Sequence, residues 1–187
     1  EADYSTRRKD IESFNATSKT HVRGLALTPV KFGISFTKKT LNQANALVNI
    51  YTDGTVTVST GATEMGQGVH TRVRQIVADE LGVSPAEVEV RHGDTAIFPE
   101  GGGTGASRGL TVGGSALYSV LQEARRKLSR IAAHQLRCSE GEIIFQGGHI
   151  CNRRNPEQTM SFAEVAAAAY DEALLPPGVG AGLEFSG

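Results

Sequence analysis

Two runs of alternating apolar and polar residues meet at Asp53-Gly54, and this pattern limits the folds open to the chain more than any other feature. The first run covers residues 46–52, and the second covers residues 55–60. An Asp-Gly pair between alternating runs is the strongest short-range signal for a β-hairpin, because the central positions of a tight hairpin turn need positive φ. The sequence therefore predicts a pair of antiparallel strands here.

Two long helices are predicted downstream of this hairpin. Gly82 ends the first helix as a C-terminal capping glycine, and the second helix follows residue 107. Each has an apolar face of residues at helical spacing. The first face holds Val69, Val73, Ile76, Val77 and Leu81, and the second holds Leu117, Val120, Leu121, Ala124, Leu128, Ile131 and Ala132.

Shorter elements complete the predicted fold. We expect strands in the apolar, β-prone residues 24–30 and 32–37 and at residues 88–91, and a second hairpin over residues 142–150. A short surface helix is expected over residues 6–16, and a capping box at residues 161–164 predicts a last helix. Because hairpins alternate with helices, we predict an α+β fold, with β-hairpins and a mixed sheet packed with two long helices, rather than a doubly wound sheet.

The same patterns suggest how the chain is divided. We expect an N-terminal helical segment over residues 1–20, a partial α+β domain over residues 21–175, and an irregular tail over residues 176–187 that leads to a further, downstream part. The chain begins in a charged helical pattern and ends in an apparent loop, which suggests a piece of a longer polypeptide.

Composition argues against several function classes. The 19 basic and 20 acidic residues are mixed along the chain, so no basic stripe for nucleic acid is expected. No apolar run approaches the roughly 20 residues that a membrane helix needs, and the N-terminus does not resemble a signal peptide; we therefore expect a cytoplasmic protein. Cys138 and Cys151 lie outside any C-x-x-C and the five histidines are scattered, so no protein-ligated metal is expected.

A glycine-rich loop precedes each long helix. We call residues 61–68 the first glycine-rich loop and residues 101–107 the second glycine-rich loop. A helix N-terminus carries free N–H groups and about half a positive charge, which favours phosphate, and glycines let a ligand approach the backbone. Neither loop matches a known nucleotide-phosphate fingerprint. From the residues alone, the loops indicate either tight turns or a site for a phosphorylated ligand.

This region also resembles the molybdopterin-binding part of the xanthine dehydrogenase/aldehyde oxidase family of molybdenum hydroxylases. The resemblance is carried by residues 31–37, 41–43, 48–54 and 63–71, and it is dense from about Arg23 to Leu136. The run Thr-Glu-Met-Gly-Gln-Gly after an Asp-Gly hairpin is its most specific part.

The resemblance implies a molybdenum–molybdopterin cofactor, with the cytosine dinucleotide form as an alternative. It implies hydroxylation of an electron-poor carbon with water as the oxygen source. Phe36 matches a phenylalanine that packs against a flat heteroaromatic substrate, and Thr37 matches its polar neighbour. The implied pterin-side residues are Met65, Gly66, Gln67 and Gly68, and those near the pterin and its phosphate are Thr104, Gly105, Ala106, Ser107, Arg108 and Gly109.

The resemblance further implies that the chain is catalytically incomplete. The family's general base is a glutamate in a downstream Gly-Glu-Pro-like motif, which this sequence lacks. Gly141-Glu142 lies at a hairpin entrance, and Glu64 precedes a helix, where a carboxylate compensates the helix dipole. We therefore expect no catalytic residue here and an inactive isolated chain. FAD and [2Fe-2S] clusters are expected on other domains or subunits, in an enzyme that forms a dimer.

Substrate class and function stay open between alternatives. The Phe36 region favours a purine or related N-heterocycle, whereas the second glycine-rich loop resembles family members that act on aldehydes, carbon monoxide or other heterocycles. An aldehyde oxidase or carbon monoxide dehydrogenase-type member is thus one alternative. A non-enzymatic module that binds a phosphorylated ligand, or a remnant that has lost the cofactor, is another.

Overall fold

The computed structural model describes residues 2–97 and 103–187, which divide into two compact units, Glu1–Gly33 and Ile34–Gly187. The N-terminal helical segment predicted over residues 1–20 lies within the first of these units.

Helix α1 (Tyr4–Thr17) dominates the first unit and has no buried residues. It confirms the predicted surface helix. The side-chain amide of Asn15 donates to the Arg23 carbonyl oxygen at 2.9 Å and accepts the Arg23 N–H at 2.8 Å. The Arg23 guanidinium lies 3.8 Å from the centre of the Phe14 ring. These contacts tie the residues after α1 back onto its last turn.

The strands expected at residues 24–30 and 32–37 are not formed, so this prediction is wrong for the chain as described. Their large apolar side chains are exposed, Val30 at 85% and Phe32 at 68%. A strand needs a neighbour to pair its N–H and C=O groups, and β-propensity mainly reflects packing on a half-buried surface. No described strand pairs with these residues, so an apolar sequence alone does not make them strands.

The described residues of the second unit, 34–97 and 103–187, form seven strands in two sheets and three α-helices. The strands are β1 (Ala46–Ile50), β2 (Val56–Thr60), β3 (Val88–Arg91), β4 (Ile143–Gln146), β5 (His149–Asn152), β6 (Asn155–Ser161) and β7 (Glu184–Ser186). The helices are α2 (Val69–Leu81), α3 (Gly109–Leu136) and α4 (Phe162–Ala168), with short 3₁₀ helices at Lys39–Leu41, Pro85–Glu87, Glu140–Glu142 and Glu172–Leu174.

The first sheet has the strand order β3-β2-β1-β7 and is mixed. Strands β1 and β2 form the predicted hairpin, in which Val48 faces Val58. Asp53 holds the turn, because its carboxylate accepts the N–H and the hydroxyl of Thr55 at 2.9 and 2.6 Å. Strand β3 pairs with β2 in parallel and β7 pairs with β1 antiparallel. The predicted α+β class is confirmed.

Helix α3 packs against this sheet and supplies much of the core. All seven residues of its predicted apolar face are buried, and the predicted face of α2 is buried apart from Ile76, which packs partly buried against the core. Gly82 ends α2 at φ 66°, and its carbonyl oxygen accepts the Gly148 N–H at 2.6 Å. A Cβ at Gly82 would lie 2.6 Å from the carbonyl carbon of Phe145, so this close approach requires glycine.

The second sheet has the order β4-β5-β6 and contains one strand that the sequence did not predict. Strands β4 and β5 confirm the second predicted hairpin. Strand β6 is polar and mostly exposed, so its sequence lacks an apolar alternation. It lies at the edge of the sheet, where Pro156 is tolerated because one side needs no N–H donor.

The tail, expected to be irregular, also contains a strand. Strand β7 occupies the edge of β1 that β2 leaves open, and Leu183 just before it is buried. The Gly187 carbonyl oxygen accepts the Ala46 N–H at 2.8 Å. The open edge of β1 and the burial of Leu183 together stabilise β7. The sequence of β7 is too short to show the apolar–polar alternation from which a strand is predicted. None of the helices in residues 2–97 and 103–187 is long and apolar enough to cross a membrane.

Candidate cofactor-binding site

The two glycine-rich loops lie side by side at the start of the two long helices. The first connects β2 to α2, and the described part of the second, residues 103–107, leads into α3. The Thr63 N–H donates to the Thr104 hydroxyl oxygen at 3.2 Å, which links the loops directly. Gly101 and Gly102 of the second glycine-rich loop lie outside the described residues.

Glu64 occupies the N-terminus of α2. One of its carboxylate oxygens accepts the N–H groups of Gly66 and Gly68, both at 2.9 Å, and the other accepts the His70 N–H at 3.2 Å. These bonds, with that from Gly68 the strongest, hold the pKa of Glu64 below its ordinary value. The structure thus agrees with the interpretation of Glu64 as a helix-capping carboxylate. It also leaves the start of α2 a poor seat for a phosphate.

Gln67 closes the first glycine-rich loop on itself. Its amide nitrogen donates to the Thr63 carbonyl oxygen at 2.8 Å, and its amide oxygen accepts the Met65 N–H at 2.5 Å. Gly66 and Gly68 have φ values of 94° and 76°, and Met65 is 68% exposed. A side-chain amide has two N–H groups and two lone pairs, so Gln67 keeps one donor and one acceptor for a ligand.

The second glycine-rich loop has an unusual backbone. Gly103, Ala106 and Ser107 have φ values of 40°, 48° and 52°. Left-handed conformations of non-glycine residues cost about 1–3 kcal/mol each and cluster at ligand sites. The Ala106 carbonyl oxygen accepts the Ser35 N–H at 2.7 Å, which fixes part of this conformation.

No carboxylate accepts an N–H group at the N-terminus of α3, whereas Glu64 accepts the His70 N–H at the start of α2. The first turn of α3 carries no acidic residue, and the Arg108 side chain at the N-cap position makes no capping bond. Among the described residues no acceptor faces the N–H groups of Gly109, Leu110 and Thr111. This helix start is therefore the one suited to an anion.

Arg108 is 5% exposed and joins the second loop to the residues after Phe36. Its Nη1 donates to the carbonyl oxygens of Leu41 and Gln43 at 2.7 and 2.9 Å, and its Nη2 donates to that of Gly103 at 3.0 Å. Its Nε is buried and has no acceptor within the described part of the chain. An unpaired buried donor is costly, so it indicates a place for a ligand acceptor.

Phe36 lies beside this arginine. The guanidinium carbon is 5.6 Å from the ring centre, and a Cβ at Gly105 would lie 3.4 Å from the ring. Phe36 is 41% exposed and borders a cleft of about 800 Å³. The cleft is also lined by Asn42, Arg108, Val112, Ser115 and Ser119. Thr37 is exposed and does not line this cleft.

Asn42 is a site residue that the sequence analysis did not single out. Its amide oxygen accepts the Phe36 N–H at 2.9 Å, and its amide nitrogen donates to the Phe36 carbonyl oxygen at 2.7 Å. A side-chain amide has both a donor and an acceptor, so it can bond both backbone groups of one residue. Nothing in the local sequence pattern indicates that Asn42 does so.

Other features of the unit lie away from these residues. A cleft of about 940 Å³ separates the end of α2 from the second hairpin, and it is lined by none of the predicted site residues. Within residues 2–97 and 103–187, no three or more histidine, cysteine or acidic side chains are grouped so as to hold a metal ion.

Comparison with known proteins identifies the family. Residues 1–186 match the model of the molybdopterin cofactor-binding domain, and the chain belongs to this family. It is 38% identical over 138 residues to a xanthine dehydrogenase/oxidase of Gallus gallus, covering 74% of the chain and 10% of that protein. It is 43% identical over 128 residues to a xanthine dehydrogenase of Emericella nidulans, covering 68% of the chain and 9% of that protein.

Solved structures agree with these sequence relatives. Quinoline 2-oxidoreductase from Pseudomonas putida 86 matches with a TM-score of 0.72 and 34% identity, over 77% of this chain and 18% of that one. Carbon monoxide dehydrogenase from Oligotropha carboxidovorans matches with a TM-score of 0.70 and 30% identity, over 78% of this chain and 18% of that one.

The chain spans about a tenth of the length of the xanthine dehydrogenases that it matches. The predicted membership of the molybdenum hydroxylase family is confirmed. In each of these relatives the matched region is a small part of a longer xanthine dehydrogenase.

We predict that Glu64→Gln makes the protein less stable at neutral pH and less sensitive to acid. The folded-state pKa of Glu64 is lowered from its ordinary value of 4.5, so its stabilising contribution is present above that value and is lost as the pH falls through the folded-state pKa. Melting temperatures should therefore fall less for the variant than for the wild type between about pH 5 and pH 3.

Glu157→Gln, which changes an exposed glutamate on β6, is the matched control and should follow the wild-type pH profile. Identical pH profiles for Glu64→Gln and the wild type would show that the three N–H bonds to Glu64 do not hold the first loop.

Proposed function

We propose that this chain supplies part of the molybdopterin site of a hydroxylase that oxidises a carbon of a purine or a related N-heterocycle, with water as the oxygen source. The observation that carries the proposal is the uncapped start of α3 beside the first glycine-rich loop. A buried arginine donor without an acceptor lies at the same place.

The residues fit a phosphorylated pterin. The free N–H groups of Gly109, Leu110 and Thr111 and the Arg108 Nε provide donors for a phosphate. Ser107 and Thr104 add hydroxyl groups, and Gln67 offers one free donor and one free acceptor from the opposite loop. The missing Cβ atoms of Gly66, Gly68, Gly103 and Gly109 leave room for a flat ring system. We assign the pterin to the space that Met65–Gly68 and Thr104–Gly109 share.

The chain's own part in the reaction is to bind and orient. When bound, the molybdenum centre supplies the redox chemistry of hydroxylation. We assign no catalytic residue to this chain. Within residues 2–97 and 103–187, the acidic residue of the first glycine-rich loop is Glu64, and it already accepts three N–H bonds. The general base, the FAD and the [2Fe-2S] clusters then belong to other domains or subunits of a dimeric cytoplasmic enzyme. The pterin is either the simple or the cytosine dinucleotide form.

Phe36 is proposed to contact the substrate. Its half-exposed ring borders an open cleft next to the second glycine-rich loop, and aromatic rings favour edge or offset contacts with flat heterocycles. The sequence relatives are xanthine dehydrogenases, which supports a purine. An aldehyde or carbon monoxide substrate is the second candidate. It is favoured by the glycine-rich second loop and by the similarity to a carbon monoxide dehydrogenase.

We predict that Gln67→Ala in the complete enzyme lowers molybdenum content without unfolding the domain. The change removes both loop-closing bonds and the amide offered to the cofactor, at a cost of about 1–3 kcal/mol. Elemental analysis of molybdenum per protein measures the effect. Gln146→Ala, an exposed glutamine on β4, serves as the control.

Unchanged molybdenum content in Gln67→Ala would assign the glutamine to loop structure alone. If the wild-type protein contains no molybdenum, the alternative of a non-enzymatic module that binds a phosphorylated ligand is favoured instead.

We predict that Phe36→Ala in the complete enzyme reduces kcat/KM for xanthine much more than for a short aldehyde. Loss of an aromatic contact costs about 0.5–1.5 kcal/mol of binding free energy beyond its buried area. A short aldehyde has no ring and does not make this contact. Steady-state kinetics with both substrates measures the difference. Equal losses would mean that Phe36 shapes the cleft in general, and a wild-type preference for the aldehyde would reject the purine assignment.

A further inference from the structure

We infer that Asn42 and Arg108 are positioning residues that hold Phe36 in a fixed orientation relative to the second glycine-rich loop. The inference rests on the proposed function, in which Phe36 contacts the substrate and the second loop holds the cofactor. Hydrogen bonds through Asn42 and Arg108 then connect Phe36 to the second glycine-rich loop as one unit.

Asn42 fixes the backbone of Phe36. Its side chain accepts from the Phe36 N–H and donates to the Phe36 carbonyl, and so bonds both backbone groups as a neighbouring strand would. Residues 32–37 form no strand in the described structure. The asparagine therefore supplies the pairing that a sheet does not give this residue. Without it the peptide groups on either side of Phe36 would be free to rotate.

Arg108 fixes the segment that carries Asn42. The carbonyl oxygens that its Nη1 binds belong to Leu41 and Gln43, on either side of Asn42. The Nη2 of the same guanidinium donates to the Gly103 carbonyl oxygen and so anchors this planar group in the second loop. A guanidinium presents its donors in a rigid plane. A displacement of the second loop is therefore transmitted to Asn42 and from there to Phe36.

Two more contacts align Phe36 with the second loop. The residue before it, Ser35, has φ 64° and donates its N–H to the Ala106 carbonyl oxygen at 2.7 Å. A Cβ at Gly105 would lie 3.4 Å from Phe36 Cζ, at van der Waals contact, so the ring lies close to this residue of the loop. The ring is thus seated against the backbone of the loop.

This arrangement is separate from the apolar core. Phe36 and Asn42 are not among the buried residues of the core cluster. Changing Asn42 should therefore loosen Phe36 without unfolding the domain or altering the cofactor loop. Arg108 is buried and belongs to the loop, so its replacement should affect both substrate and cofactor.

The first experiment is hydrogen–deuterium exchange on the cofactor-free protein, which does not depend on the proposed function. Asn42→Ala removes the acceptor of the Phe36 N–H, so the peptide that contains Phe36 should exchange at least about tenfold faster, as for loss of a hydrogen bond. Asn155→Ala, an exposed asparagine on β6, is the matched control and should leave the rate unchanged. An unchanged rate in Asn42→Ala overturns the inference.

The second experiment measures kinetics in the complete enzyme, per molybdenum bound. Asn42→Ala should raise KM for xanthine about five- to tenfold, as expected for one lost hydrogen bond. The kcat, the molybdenum content and the KM for acetaldehyde should stay within about twofold. In a Phe36→Ala background, Asn42→Ala should add no further change in KM, because residues that act through one another are non-additive.

Arg108→Lys keeps the charge and loses the planar fork. It should raise KM for xanthine in the molybdenum-loaded fraction and also lower molybdenum content.

Equal KM changes for xanthine and acetaldehyde, or full additivity of Asn42→Ala with Phe36→Ala, overturn the positioning role. Faster exchange at Phe36 in an enzyme that contains no molybdenum would instead reject the proposed function and keep the positioning role.

Discussion

The burial of one face of α3 is the interaction on which the rest of the structure depends. This helix is 28 residues long, and its buried side chains pack against β1, β5, α2 and α4. Each buried leucine or isoleucine contributes about 1.5–3 kcal/mol relative to exposure, so this one face fixes the helix firmly. Because the helix is rigid and long, its N-terminus is presented at a defined place beside the first glycine-rich loop. The same element therefore builds the core and positions the candidate site.

The two helix starts at this site have different roles. The start of α2 is closed by its own loop, because Glu64 accepts the N–H groups of Gly66, Gly68 and His70 and Gln67 bonds to Thr63. The start of α3 keeps its N–H groups, and Arg108 next to it uses its Nη groups for structure while its Nε stays unpaired. In the proposed function the first loop is thus a preformed wall, and we assign the anion to the second loop. Such a division favours a ligand with a flat polar part and one phosphate end.

The sequence predicts the parts of this fold that are determined locally. The Asp53-Gly54 turn, the apolar faces of α2 and α3 and the capping box at Ser161 depend on neighbours within a few residues, and all are present. Strand β7 is short and depends on the open edge of the distant strand β1, and β6 pairs with the neighbouring β5 but is polar, so neither is predicted from its apolar pattern. The strand prediction for residues 24–30 and 32–37 is wrong for the opposite reason. Their side chains are β-prone, but they have no partner strand among the described residues.

The same distinction holds at the site. The glycine-rich loops and Glu64 were recognisable because glycine before a helix and a carboxylate at its start have local physical reasons. Arg108 was predicted as a contact to the cofactor, but its bonds to residues 41 and 43 span more than sixty positions. Asn42 owes its role to the irregular backbone at Phe36. Long-range contacts of this kind follow from tertiary packing, and the local pattern of a single sequence does not predict them.

A crystal structure of the complete enzyme with its cofactor bound tests the central claim most directly. The account predicts that a cofactor phosphate oxygen lies about 2.7–3.2 Å from the N–H groups of Gly109–Thr111 or from Arg108 Nε, with Glu64 still capping α2. A phosphate at the start of α2 that displaces Glu64, or a cofactor that contacts neither glycine-rich loop, would contradict it.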